Sequence, residues 1–113
     1  MPATAEIRNH TCLVTLAGEY DRANVELLRA KIEWCLDSAS SAVFDFQSVT
    51  FVNGAVMALL HGTMDRLTEG GWLGVVAPKE NIERLMTTVG LHGQSNFVVF
   101  RSLPEALEVI DQQ

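Results

Sequence analysis

The residues of this chain that could do chemistry are few and dispersed. Cys12 and Cys35 lie far apart and outside any Cys-x-x-Cys or Cys/His ligand pattern, so neither a disulfide framework nor a zinc site is indicated. Free cysteine behaves as a small hydrophobe, and the expectation is two separately packed, reduced thiols that react slowly. His10, His61 and His92 fall in a hairpin turn, inside a helix and in a loop, none with a Cys, Asp or Glu at ligand spacing. Gly70-Gly71 precedes a strand rather than following one, which makes it a helix stop and not a dinucleotide cradle. A catalytic centre needs a nucleophile with its base, paired carboxylates, a metal cluster or a phosphate-binding glycine loop, and no such set is found. No enzymatic activity, cofactor or metal is therefore expected. Binding chemistry is offered by Asn53-Gly54, which opens a helix and so presents backbone amides that favour an anion or an acceptor group from a partner. A plain N-cap with a turn glycine would read the same way. Ser48 and Thr50 carry hydroxyls just upstream, although in a strand-to-helix connection such residues are usually turn-formers.

The surrounding pattern predicts the elements that hold this segment. Residues 12–17 alternate as a strand that stops at Gly18, with Ala5-Glu6-Ile7-Arg8 as an edge strand before it. From Asp21, a candidate cap, to Ser38, Val25, Leu28, Ile32, Cys35 and Leu36 repeat at helical spacing. Residues 42–46 form a strand with Asp45 inside it, and 47–52 lead to the Asn-Gly turn. Val56, Leu59, Leu60, Met64 and Leu67 line a second helix that ends at Glu69-Gly70-Gly71. The apolar run 72–77 is the pattern of a strand covered on both faces. A third helix spans 81–89 with Gly90 as its cap, and a strand follows at 97–100. Ser102-Leu103-Pro104-Glu105 is a capping box that opens the last helix.

Strands alternating with helices call for right-handed parallel crossovers, hence a small single α/β domain over residues 1–113 with a mixed, mostly parallel sheet and about four helices. At 113 residues there is a core but no spare volume for a deep cavity, so a surface site is expected. Eight basic against fourteen acidic residues, a formal charge of −6, is the wrong sign for tracking a phosphate backbone, which argues against direct nucleic-acid binding. No run is long enough for a membrane span and the first residues lack a signal-peptide pattern, so the expected location is cytoplasmic.

Three stretches taken together resemble the STAS domain: residues 16–21 (Leu-Ala-Gly-Glu-Tyr-Asp), 43–46 (Val-Phe-Asp-Phe) and 49–60, with Glu105-Ala106-Leu107 near the end. This domain is shared by sulfate transporters and bacterial anti-sigma factor antagonists, and the size here is similar to a stand-alone antagonist. The resemblance implies a loop reading Asp-Ser-Ser-Gly at the start of the second helix, whose second serine is phosphorylated by a partner that is both kinase and anti-sigma factor. On that match Asn53 stands at the aspartate, Gly54 at the first serine, Ala55 at the phosphoacceptor and Val56 at the glycine. Alanine has no oxygen to phosphorylate, so the usual switch of about two added negative charges cannot operate here. The implied function is a non-enzymatic protein-interaction module. Its partner would be an anti-sigma factor or switch kinase of histidine-kinase-like ATPase fold, bound through Tyr20, Asp21, Asn53, Gly54 and Ala55, with Tyr20-Asp21 facing solvent. A subunit of a signalling scaffold or lipid-transport complex, an anion- or nucleotide-binding sensor, and self-association as a homo-oligomer stay open as alternatives.

Overall fold

The computed structural model describes residues 3–20, 22–67 and 70–112. Along the chain run β1 (Ala3–Arg8), β2 (Thr11–Tyr20), α1 (Arg22–Leu36), β3 (Ser41–Val52), α2 (Gly54–Arg66), β4 (Leu73–Val76), α3 (Glu80–Thr88), β5 (Phe97–Phe100) and α4 (Leu103–Asp111). The β1–β2 hairpin turns on Asn9 and His10, both at positive φ (49° and 68°), which suits a tight turn matched to strand twist. Spatial order follows chain order, β1 to β5. The β1–β2 pair is antiparallel and the other three pairs are parallel. This is the mixed, mostly parallel sheet that the pattern predicts.

Alternation along the strands divides the interior in two. Cys12, Val14, Leu16, Phe44 and Val75 face a large core made with Val25, Leu28 and Ile32 of α1, Val56, Leu59 and Leu60 of α2, and Ile82 and Met86 of α3. Leu13, Val43 and Val76 point the other way, under Phe100 and the α4 residues Ala106 and Ile110. Helices α1 to α3 thus cover one face and α4 the other. Ser102 caps α4 by accepting from the Glu105 amide at 3.3 Å, and Gly90 takes the left-handed conformation (φ 86°) after α3, as their positions in the sequence predict. Gly74, central in β4, has no room for a side chain: a Cβ there would lie 2.7 Å from the Phe100 ring and 3.0 Å from Trp72.

Three expectations need correction. The strands β2 and β3 do not stop near Gly18 and Phe46 but run on together to Tyr20 and Val52. Bulges in their pairing, between Thr15 and Ala17 and between Gly18 and Glu19, let extra β3 residues loop past β2, with Gly18 at φ 84°. Helix α2 ends at Arg66, before the glycine pair; the Leu67 amide donates to the Met64 carbonyl at 3.3 Å, and Glu69 lies outside the described residues. Cys12 and Cys35, finally, are not separate thiols but form a disulfide, with Cα atoms 5.8 Å apart. The crossover from β2 into α1 returns the last turn of the helix over the first residues of the strand. Two positions each read correctly as core therefore face one another.

Candidate partner-binding site

Only residues 42–45 of β3 pair with β4, so beyond them β2 and β3 project as a two-stranded arm whose end carries the first turn of α2. Asp45 stands where the arm leaves the sheet. Its nearly buried carboxylate accepts from the Gln47 amide at 2.9 Å and from the Gln47 side-chain Nε2 at 3.1 and 3.2 Å. These bonds satisfy the backbone that the bulge leaves unpaired, which is a local reason for an aspartate inside a strand.

At the arm's end the Asn53 amide donates to the Tyr20 carbonyl at 3.3 Å, fixing where α2 begins. Asn53 is the N-cap, with extended backbone, and its Oδ1 accepts from the Ala55 amide at 2.9 Å. Its carbonyl accepts from the Val56 amide at 3.1 Å. The Ala55 amide, expected to be presented to a partner, is thus already engaged by the cap. No acidic residue stands in the first turn, and residues 53–57 carry no basic side chain either. Gly54 is exposed with open space where a Cβ would be, Ala55 is half-buried, and Ala58, one turn on, is exposed.

Of the five residues assigned to the site, Asn53, Gly54 and Ala55 come together at the arm's tip. Tyr20 adjoins them through its backbone, but its side chain does not face solvent. It is fully buried (0%), and its hydroxyl accepts from the Ala17 amide at 3.1 Å across the Gly18 bend. Burial pushes the phenol above its usual range, against the opposing effect of the Ala17 hydrogen bond. Tyr20 is therefore a positioning residue that braces the arm from below, a role its apolar ring and single polar atom suit. Asp21 lies outside the described residues. Ser48 and Thr50 are exposed on the arm.

Phe51 is the residue that the pattern misses. It pairs with Glu19 across the arm and is 49% exposed, while Val49 and Val52 are buried on the opposite side. Simple alternation cannot place it, because each bulge resets the phase of the strand. An exposed phenylalanine two residues before the helix cap, beside the exposed Glu19, gives this surface one large apolar contact point.

Comparison with known proteins adds a family to this geometry. The family model described as the STAS domain matches residues 2–106. No curated protein sequence matches the chain. Among solved structures, an anti-sigma factor antagonist from Mycobacterium paratuberculosis superposes with a TM-score of 0.84 at 24% identity, covering 97% of this chain and 93% of that one. The anti-sigma factor antagonist SpoIIAA in its unphosphorylated form gives 0.79 at 19% identity, covering 99% and 100%. The Bacillus cell fate determinant SpoIIAA in its phosphorylated form gives 0.78 at 21% identity, covering 96% and 99%.

Proposed function

The chain belongs to the STAS domain family, and from that premise we propose that it is a binding module of the anti-sigma factor antagonist type whose docking loop has no phosphorylation switch. It occupies an anti-sigma factor, a switch kinase of histidine-kinase-like ATPase fold, and so frees a sigma factor. Binding is its whole activity, and no step of catalysis belongs to it. The observation that carries this reading is the first turn of α2: Ala55 stands at the acceptor position without a hydroxyl, its amide already held by Asn53. In a switchable module a phosphate would bring about two negative charges to this turn. Here the turn is neutral and internally capped, so the surface keeps one binding state. The docking surface consists of Asn53, Gly54 and Ala55 with the exposed Phe51 ring as its apolar anchor, since a few well-placed contacts dominate such interfaces. An anion-sensing role has less support, because the cap uses the amide an anion would need and no cation stands in the turn.

The test is calorimetric titration of the cognate switch kinase, identified by affinity purification, against the parent chain and two variants. Ala55→Glu adds a charge at a helix N-terminus, where a carboxylate stabilises the fold by about 0.3 to 1 kcal/mol, so it should fold at least as well as the parent. Its partner affinity should fall at least tenfold, about 1.4 kcal/mol. Ala55→Ser should bind like the parent and gain phosphate from the kinase, while the parent stays unmodified over residues 53–57. Unchanged binding by Ala55→Glu would reject the loop as the interface. Purification of an ABC-type ATPase instead of a switch kinase would move the protein to a transport-complex role.

A further inference from the structure

Between α1 and α2 lies a hollow of about 220 Å³. Ile32 and Leu36 of α1 and Leu59 of α2, all buried, form its apolar floor, while the partly exposed Arg29 and Glu33 of α1 and Arg66 of α2 stand at its rim. Gly62 lines it from inside α2, with nothing within 4 Å of where a Cβ would be. Glycine weakens a helix interior, and here no close neighbour requires one; what its missing side chain leaves is open volume. The rim charges are loosely paired. Arg66 lies 3.4 Å from Asp37 and 3.9 Å from Glu33, and Arg29 lies 3.3 Å from Glu26, one nitrogen to each carboxylate. Arg8, by contrast, grips Asp111 with two bonds of 3.0 Å, and Arg101 grips Glu83 with bonds of 2.9 and 3.3 Å. Single contacts between exposed charges hold weakly, so Arg29 and Arg66 can turn to another acceptor at little cost.

We propose that this hollow binds a free apolar α-amino acid of about the size of leucine. The charges select a zwitterion. Three carboxylates, Glu26, Glu33 and Asp37, stand against two guanidiniums, Arg29 and Arg66, so a plain anion meets a surplus of its own sign and a plain cation meets both arginines. At 3.9 Å, Arg66 and Glu33 are too far apart to hydrogen-bond to each other. An α-amino acid carries its ammonium and carboxylate on one carbon and can join them, its carboxylate accepting from Arg66 and Arg29 and its ammonium donating to Glu33. Thr63, beside the floor, has given its hydroxyl proton to the Leu59 carbonyl at 2.8 Å, so donors for the ligand come from the rim alone. Volume sets the side chain. At ~30 Å³ per water the hollow holds about seven waters, which is the bulk of leucine or isoleucine and less than that of tryptophan. An apolar side chain displaces that water from Ile32, Leu36 and Leu59, while the polar rim fixes its orientation. The site begins at Leu59, more than a turn beyond the α2 cap, and draws on none of the proposed docking residues.

Calorimetric titration of the whole chain with L-leucine tests this. The expected result is saturable binding of one leucine per chain, at least tenfold tighter than 4-methylpentanoate, which lacks the ammonium, or 3-methylbutylamine, which lacks the carboxylate. Glu33→Gln should close the first of those gaps, weakening leucine at least tenfold while leaving 4-methylpentanoate no weaker than before. Gly62→Leu, which puts a side chain into the lining and replaces a poor helix former with a good one, should abolish leucine binding without lowering the melting temperature. Glu33 is exposed, so its variant decides the matter even if Gly62→Leu folds poorly. Ala55→Glu should bind leucine like the parent, which separates this site from the α2 loop. No saturable heat up to about 10 mM leucine, well above a ~1 mM dissociation constant, would overturn the proposal. So would equal affinity for leucine and 4-methylpentanoate, or leucine binding that survives in a folded Gly62→Leu variant.

Discussion

Reduction of the Cys12–Cys35 bridge is the perturbation with the clearest magnitude. The bridge joins residues 23 apart in sequence. In the chain-entropy treatment, closing a loop of that length removes about 11 cal/mol/K from the unfolded ensemble, so the oxidised protein should be more stable by about 3.4 kcal/mol at 25 °C. That is a large share of the 5–15 kcal/mol that typically holds a domain together. Both cysteines are fully buried, so the reduced thiols keep much of their packing, and comparing the two redox states isolates the bridge better than substitution would. The assay is urea unfolding of protein equilibrated with oxidised glutathione, repeated in excess dithiol, with mass spectrometry confirming the loss of two hydrogens in the oxidised sample. At roughly 1–3 kcal/mol per molar urea, reduction should lower the midpoint by roughly 1–3 M. The burial also predicts slow reduction, since a dithiol reaches the sulfurs only when the last turn of α1 opens. Coincident midpoints, together with two thiols titrating in the denatured, unreduced protein, would refute the bridge and the reasoning built on it.

Three further outcomes are expected. Gly74→Ala should destabilise by about 1–3 kcal/mol in the same unfolding assay, because the new methyl meets the Phe100 and Trp72 rings in a packed layer; a neutral result would mean that those rings move freely. Tyr20→Phe should cost about 1–3 kcal/mol by leaving the Ala17 amide without its acceptor, and amide exchange should quicken locally at the arm. Glu83, its carboxylate held below the usual range by hydrogen bonding to Arg101 and further by His92, contributes stability above pH about 4.5 that is lost as pH falls through its folded value. Arg101→Gln should therefore flatten the acid limb of the stability profile below that pH, and an unchanged limb would show that the ion pair is too exposed to matter.

What the chain discloses by itself follows from which forces are local. Periodicity finds the five strands and four α-helices because burial acts on spacings of two and 3.6 residues, though not the short 3-10 helix Leu91–Gly93, read as a loop; the caps at Asn53, Gly90 and Ser102 are legible because capping is a matter of one or two hydrogen bonds. The arm is not legible. Two bulges break the alternation, so the pattern ends β3 at Phe46, and the exposure of Phe51 and the burial of Tyr20 both follow from register rather than residue type. The disulfide is hidden for a related reason: Cys12 and Cys35 are each correctly read as core, but their meeting depends on how far α1 slides along β2.

The same distinction bears on how the proposed binding loop would work. A switchable loop needs a conformational or charge state that something else can change, and a neutral helix start whose cap is supplied from within has neither. Asn53 does for the backbone what an aspartate would do, accepting from the Ala55 amide, but without the charge that would couple the turn to a nearby cation or repel a phosphate. Asp45 at the base of the arm and Tyr20 near its tip then hold it through hydrogen bonds to the Gln47 and Ala17 amides, so the tip is placed by the core rather than by the loop's own flexibility. A surface fixed in this way pays little ordering entropy when it binds, which favours a partner held continuously over one released on a signal. Under the proposed function, regulation of such a module would act outside the loop, on the partner or on the amount of this chain. In cells, partner occupancy should rise in proportion to expression of the parent protein and not respond to the kinase activity of the partner; a kinase-dead partner that is bound more tightly than the active one would contradict this.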